Sequence, residues 1–243
     1  LFSLSVVSPI FSVWGCLPWI GLTFWNAFVN LRSFFHQPNR PTAELAVLAS
    51  DLYLPVGGVW ALFDQLKFQP MGFSGIIVLL TGVHFHYAGF ALPRLTGLWL
   101  ERQKQSVPFR MACWGVIAGV PLVAVGITTS QMRMSPAIEL VSVTILALSA
   151  FAVSLGQTTW AVRSSFLPPL SRLLFAAGGI CLAAGMVLAT IYGWRSVFPV
   201  AWATIPAMYA VHGTLNSLGF CLPGFLAWHF MPGSLNEAER KCR

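Results

Sequence analysis

The chain has 243 residues, of which 56% are hydrophobic and only 9% are charged. Because soluble domains carry about 25% charged residues, this composition excludes a water-soluble globular protein. The formal net charge of +7 comes from basic residues scattered singly between apolar runs, which suits membrane orientation and does not suit nucleic-acid binding.

Apolar runs long enough to cross a hydrocarbon core of about 30 Å occur seven times along the chain. In chain order they cover residues 2–24, 45–63, 73–93, 109–130, 137–161, 172–193 and 204–228. The polar or proline-rich breaks between them are too short to form a second domain. The sequence therefore predicts an all-α polytopic membrane protein, a bundle of seven transmembrane helices in a single domain over residues 1–243.

Basic residues are distributed unevenly between the two sides that these spans define. Eleven fall on one side, namely Arg32, Arg40, Arg94, Arg102, Lys104, Arg110, Arg163, Arg172, Arg240, Lys241 and Arg243. Three fall on the other, namely Lys67, Arg133 and Arg195. The positive-inside rule then predicts an outside N-terminus and a cytoplasmic C-terminus.

Two spans share a short sequence echo. "GFALP" at 89–93 recurs as "GFCLP" at 219–223, and each follows a Val-His pair, at 83–84 and at 211–212. A proline removes the helical hydrogen bond to the carbonyl four residues earlier, so both segments are expected to bend. The echo is consistent with a decayed parallel repeat or with chance.

Ionisable side chains inside a span cost roughly 2.5–3.5 kcal/mol near the membrane centre, so each needs a polar partner or water. The candidate site residues within the spans are Asp51, His84, His86, Tyr87, Glu139, Tyr209, His212 and Asn216. Asp51 has no basic residue near it in sequence. These residues predict a polar cavity between the second, third and seventh spans.

Helical spacing relates some of these side chains to one another. Tyr209, His212 and Asn216 are spaced i, i+3 and i+7, so they share one face. His86 points about 200° away from His84 on a helix of 3.6 residues per turn. Both histidines can serve one cavity only if the third span lies between neighbours on either side. The alternative is that one of them plays a structural role by bonding a backbone carbonyl.

Three kinds of function fit this set of residues. The preferred hypothesis is an enzyme that transfers protons to an apolar or lipid-like substrate, as an isomerase, cyclase or hydrolase. Asp51 would be the acid, and His84, His86 and His212 would act as bases or orienting groups. Tyr87, Tyr209, Asn216 and Glu139 would bind the substrate. The second hypothesis is a small-solute or proton-coupled transporter.

The third hypothesis is a haem- or metal-binding membrane subunit. His84 or His86 with His212 would satisfy a bis-histidine haem only crudely, and no CxxCH motif occurs. The HxxxH spacing of membrane zinc hydrolases is absent, and five cysteines show no CxxC pair. No cofactor is therefore predicted. Membrane lipids and an apolar small molecule are the predicted partners, and the sequence sets no oligomeric state.

Two motifs resemble a known family. "HFHYAGF" contains His84, His86, Tyr87, Gly89 and Phe90, and "HGTLNSLGF" contains His212, Gly213, Asn216, Gly219 and Phe220. Both motifs resemble the YndJ-like family of bacterial membrane proteins. The resemblance implies that these residues belong to one site, and it leaves the activity open.

Overall fold

The structure, a computed structural model, describes residues 9–36, 40–103 and 106–231, with side chains from residue 13 onward. Within this part of the chain the long elements are all helices and no strand occurs. The helices are α1 (Pro9–His36), α2 (Thr42–Gln65), α3 (Gly75–Glu101), α4 (Val107–Gln131), α5 (Pro136–Arg163), α6 (Pro169–Gly193) and α7 (residues 205–229). The predicted all-α fold is confirmed.

Five of these helices, α2 to α6, are long and apolar enough to cross a membrane. They present large apolar side chains at the surface, such as Leu148 at 67% exposed and Ile180 at 62% exposed. Lipid tails accommodate such surfaces, whereas water does not. Helices α1 and α7 correspond to the first and last predicted spans, and their crossing stays a prediction. Residues 2–8 of the first predicted span lie outside the described residues.

The third helix extends further than the predicted span. That span ended at Pro93, whereas α3 continues to Glu101 and therefore contains Arg94. Residues Phe85–Ala91 form a π-helical turn, and Pro93 is the second residue of the α-helical segment Leu92–Glu101 that follows. The change of hydrogen-bond register at the π turn places Pro93 in the first turn of the new segment, where a missing N–H costs least.

The chain forms two compact units, Leu1–Leu98 and Trp99–Arg243. In the first unit, α2 contacts both α1 and α3. A Cβ atom added to Gly58 would lie 3.3 Å from Ile20 of α1. One added to Gly82 of α3 would lie 3.0 Å from the backbone nitrogen of Ala61. Small residues at these crossings let the helix backbones approach closely, as is common in membranes.

The second unit joins α4, α5, α6 and α7 by contacts between neighbouring helices. Gly119 of α4 faces Leu146 of α5, and Gly219 of α7 faces Cys181 of α6. Trp160 stacks on Trp228 with ring centroids 6.3 Å apart, which fixes one end of this unit. The predicted single-domain organisation over residues 1–243 stays a prediction.

Candidate functional site

Asp51 lies in an ion pair that the sequence did not reveal. Its Oδ1 accepts a hydrogen bond from Nη1 of Arg94 at 2.8 Å and another from Nδ2 of Asn26 at 2.8 Å. The Asp51 side chain is 2% exposed and that of Arg94 is 33% exposed. Asp51 is nine residues after Thr42, about 14 Å along a helix that is long and apolar enough to cross a membrane.

The sequence does not predict Arg94 as the partner of Asp51, because the apolar run of the third span ends at Pro93 and puts Arg94 in the following loop. One signal was available. The segment "LTGLWL" at 95–100 is mostly apolar and continues the span beyond Arg94. A helix that continued through this segment would have placed Arg94 inside the membrane, where it requires a counter-charge.

His86 has hydrogen-bond partners for both ring nitrogens. Nε1 of Trp19 donates to Nε2 at 3.0 Å, and Nδ1 lies 2.7 Å from the carbonyl oxygen of Gly82. An indole N–H can only donate, so Nε2 is the acceptor and Nδ1 carries the proton that bonds Gly82. The two rings also stack with centroids 5.8 Å apart. These contacts favour the alternative in which one of the two neighbouring histidines bonds a backbone carbonyl.

A second polar group of residues lies on α7. Nδ1 of His212 is 2.8 Å from the carbonyl oxygen of Gly185, which requires the ring to donate there. Nδ2 of Asn216 donates to the carbonyl of His212 at 2.8 Å and lies 3.2 Å from the ring nitrogens. The contact between His212 and Asn216 agrees with their spacing in the sequence. Tyr209, expected on the same stripe, is 52% exposed.

A π-helical turn of the same length occurs in each unit. Phe85–Ala91 in α3 and Leu215–Cys221 in α7 each have seven residues, and each directly precedes a Leu-Pro pair. The two turns are 130 positions apart. The Val-His pairs of the sequence echo are 128 positions apart, so they are out of this register and are not equivalent.

The same side-chain bond is made at both turns. In the register of the turns His86 corresponds to Asn216, and Gly82 corresponds to His212. His86 donates to the carbonyl four residues earlier at 2.7 Å, and Asn216 does so at 2.8 Å. The sequence echo is therefore matched by equal local structure.

The contacts to the preceding helices are also repeated. A Cβ atom added to Gly57 of α2 would lie 2.7 Å from Nδ1 of His86, and one added to Gly185 of α6 would lie 2.9 Å from Nδ2 of Asn216. Two further contacts recur, with an offset of 130 positions in α3 and, as for Gly57 and Gly185, of 128 positions in α1 and α2. They are Gly89–Tyr53 with Gly219–Cys181, and Asn26–Asp51 with Ser154–Gly179. Helices α1 to α3 and α5 to α7 thus share several contacts between neighbouring helices, although Asn26 donates to a side chain and Ser154 to a backbone carbonyl.

Glu139, expected to bind substrate, is engaged in an ion pair. Its two carboxylate oxygens accept from Nη1 and Nη2 of Arg195 at 2.7 and 3.4 Å. The Glu139 side chain is 6% exposed. The other acidic residue near an interface, Glu44, pairs with Arg40 at 3.2 Å.

The remaining site candidates divide between the two units. Asp51, His84, His86 and Tyr87 belong to the first unit, and His212, Asn216, Tyr209 and Glu139 belong to the second. His84 is half-buried at the end of the α-helical segment Gly75–His84, and Tyr87 is 37% exposed. Among the described residues no group of three or more His, Cys, Asp and Glu side chains is arranged to hold a metal ion.

The repeated glycine contacts give a testable prediction. Gly57→Ala and Gly185→Ala should each destabilise the protein by about 1–3 kcal/mol, because the new methyl group displaces His86 or Asn216 from its carbonyl partner. Gly21→Ala in α1 is the matched control, since nothing lies within 4 Å of the added Cβ. It should be neutral or stabilising by up to about 1 kcal/mol. Thermal unfolding in detergent would measure all three, and equal values would contradict the packing described.

Comparison with known proteins identifies the family. The family model for YndJ-like protein matches residues 1–220. The chain is 29% identical over 238 residues to the "Uncharacterized membrane protein YndJ" of Bacillus subtilis (strain 168). This match covers 97% of the chain and 42% of the relative, so the chain spans less than half of that protein's length. No solved structure matches. The chain is therefore a membrane protein that belongs to the YndJ-like family.

Proposed function

We propose that the chain is the membrane-embedded part of a transporter for a small polar solute in a bacterial inner membrane. The observation that carries the proposal is the duplicated arrangement of α1 to α3 and α5 to α7, with α4 between them. Secondary transporters are often built from two such repeats, including parallel ones. An enzyme pocket has no physical need for a duplicated half.

The order of the helices gives the repeat its direction. If each helix crosses the membrane, α2 and α6 run the same way because three helices separate them. The repeat is then parallel. The excess of basic residues on one side supports an N-terminus outside and a C-terminus in the cytoplasm.

Each half supplies polar groups at membrane depth. The first half contributes Asp51 with Arg94, and the second contributes His212 with Asn216. Polar and charged groups inside a membrane commonly mark the path of a solute or a proton. The π turns lie directly beside these groups, and such turns interrupt the regular helix at functional positions.

The enzyme hypothesis is less well supported by the contacts. A substrate approaching Oδ1 of Asp51 would compete with Arg94 and Asn26 for the same oxygen. His86 can act as a base only after it loses its bond from Trp19. Of the four expected catalytic residues, His84 and His212 would then carry the proton transfer.

Cysteine accessibility separates the two functions. In a background without native cysteines, Asn216→Cys would be treated with a membrane-impermeant methanethiosulfonate in right-side-out and inside-out vesicles. Transport predicts modification from both faces, because a solute path opens to each aqueous side in turn. Leu148→Cys is the control, since Leu148 lies 67% exposed on the apolar surface of α5 and should react from neither face.

Two results would count against transport. Modification of Asn216→Cys from a single face would exclude alternating access at this position. Modification by a lipid-soluble maleimide alone would indicate a site that opens to lipid, which is the arrangement expected of an enzyme with a lipid-like substrate.

A further inference from the structure

A cavity of about 370 Å³ lies in the second unit, away from the polar groups described above. We call it the Arg163 pocket, and its principal lining residues are Gln103, Phe109, Trp160, Arg163, Ser164 and Phe166. It is formed by the residues that follow α3, the first turn of α4 and the last turn of α5. Ends of membrane helices lie at the level of the lipid headgroups.

The polar side of the pocket is suited to an anion. Arg163 makes no ion pair with any residue that the structure describes, and none of the lining residues is acidic. Nε2 of Gln103 is buried and has no hydrogen-bond acceptor within the described ranges. Arginine and glutamine both line the cavity, and their guanidinium and amide groups can donate to phosphate oxygens.

Two other arginines lie close to the pocket. The guanidinium of Arg102 lies 5.7 Å from the ring of Trp228, which stacks on Trp160 in the pocket wall. Nη2 of Arg172 donates to the carbonyl of Val162, the residue before Arg163. Arg163 in the pocket and these two basic neighbours give the region a positive charge, which favours an anionic group over a neutral one.

The opposite side of the pocket is aromatic. Phe109 and Trp160 are held in place by neighbouring rings, with centroids 4.9 Å from Trp99 and 5.2 Å from Phe175. Phe166 is 40% exposed beside them. Aromatic side chains at this depth contact the glycerol and upper acyl region of a lipid. A soluble anion such as inorganic phosphate has no apolar part that could contact these aromatic side chains.

From these observations we propose that the Arg163 pocket binds the phosphate headgroup of an anionic phospholipid. Arg163 and Gln103 bind the phosphate oxygens, and Phe109, Trp160 and Phe166 contact the apolar part of the lipid. The site lies wholly within the second unit and does not depend on the transport proposal.

Native mass spectrometry of the full chain from phosphatidylglycerol and from phosphatidylcholine vesicles tests this site. The wild-type protein should retain phosphatidylglycerol in preference to phosphatidylcholine. Arg163→Gln should lower phosphatidylglycerol occupancy about fivefold, the effect expected for one arginine near an anionic surface. Gln103→Leu should lower it as well. Arg110→Gln removes an equal charge from the exposed first turn of α4 outside the pocket and should leave occupancy unchanged.

Three outcomes would overturn the proposal. The first is equal retention of the two lipids by the wild-type protein. The second is an equal loss in Arg163→Gln and Arg110→Gln, which would indicate a general surface charge effect. The third is displacement of the bound lipid by millimolar inorganic phosphate, which would assign the site to free phosphate.

Discussion

Replacing Arg94 with leucine should destabilise the protein by about 3–5 kcal/mol, the range for removing one partner of a buried ion pair. The Asp51 side chain is 2% exposed, so its carboxylate would be left in the membrane interior with Asn26 as its remaining donor. Unfolding in mixed micelles with increasing sodium dodecyl sulfate would measure the loss.

Two further variants test whether the loss of stability comes from the uncompensated charge of Asp51. In the double variant Asp51→Asn with Arg94→Leu no uncompensated charge remains, and most of the lost stability should return. Lys67→Gln tests the exposed pair with Asp64, in which Lys67 is 80% exposed. That change should cost less than about 1 kcal/mol. If Arg94→Leu behaves like Lys67→Gln, the ion pair contributes little to the fold.

Much of the fold could be predicted because the bilayer allows few alternatives. Backbone groups in lipid must be bonded internally, so seven long apolar runs predict seven helices. Length alone then places most helix ends within a few residues. The ends of α1 and α3 were the exceptions, since these helices continue to His36 and Glu101, past the predicted ends at residues 24 and 93. For α3 the cause is Pro93, which is a local signal for a helix end. The π turn that precedes Pro93 allows the helix to continue past the proline. Sequence periodicity does not reveal such a turn.

The candidate site was harder to predict than the fold. The pairing of Asp51 with Arg94 joins residues 43 positions apart on two helices, and helical spacing gives no information about such contacts. The repeat was visible in "GFALP" and "GFCLP", but alignment by the histidines gave the wrong register. Position 86 is equivalent to Asn216, because both side chains bond the carbonyl four residues earlier. The same bond is therefore made by a histidine in one half of the chain and by an asparagine in the other.

The pairing of Glu139 with Arg195 allows a second prediction of large effect. Arg195→Gln should cost about 2–4 kcal/mol, toward the lower part of the range for buried pairs because the Arg195 side chain is 36% exposed. Glu139 itself is almost fully buried, and a Cβ atom added to Gly126 of α4 would lie 2.7 Å from its Cα. The backbone of Glu139 is therefore packed closely against α4 and cannot shift toward that helix when Arg195 is replaced.

The same variant decides the role of Glu139. If Glu139 holds the second unit together, Arg195→Gln and Glu139→Gln should both lower the unfolding midpoint. Arg133→Gln is the control, because Arg133 is exposed in the connection between α4 and α5 and should leave the midpoint unchanged. If Glu139 instead serves to bind a substrate, Glu139→Gln should leave stability unaltered, because the amide oxygen still accepts from Arg195 and that cation, 36% exposed, remains solvated.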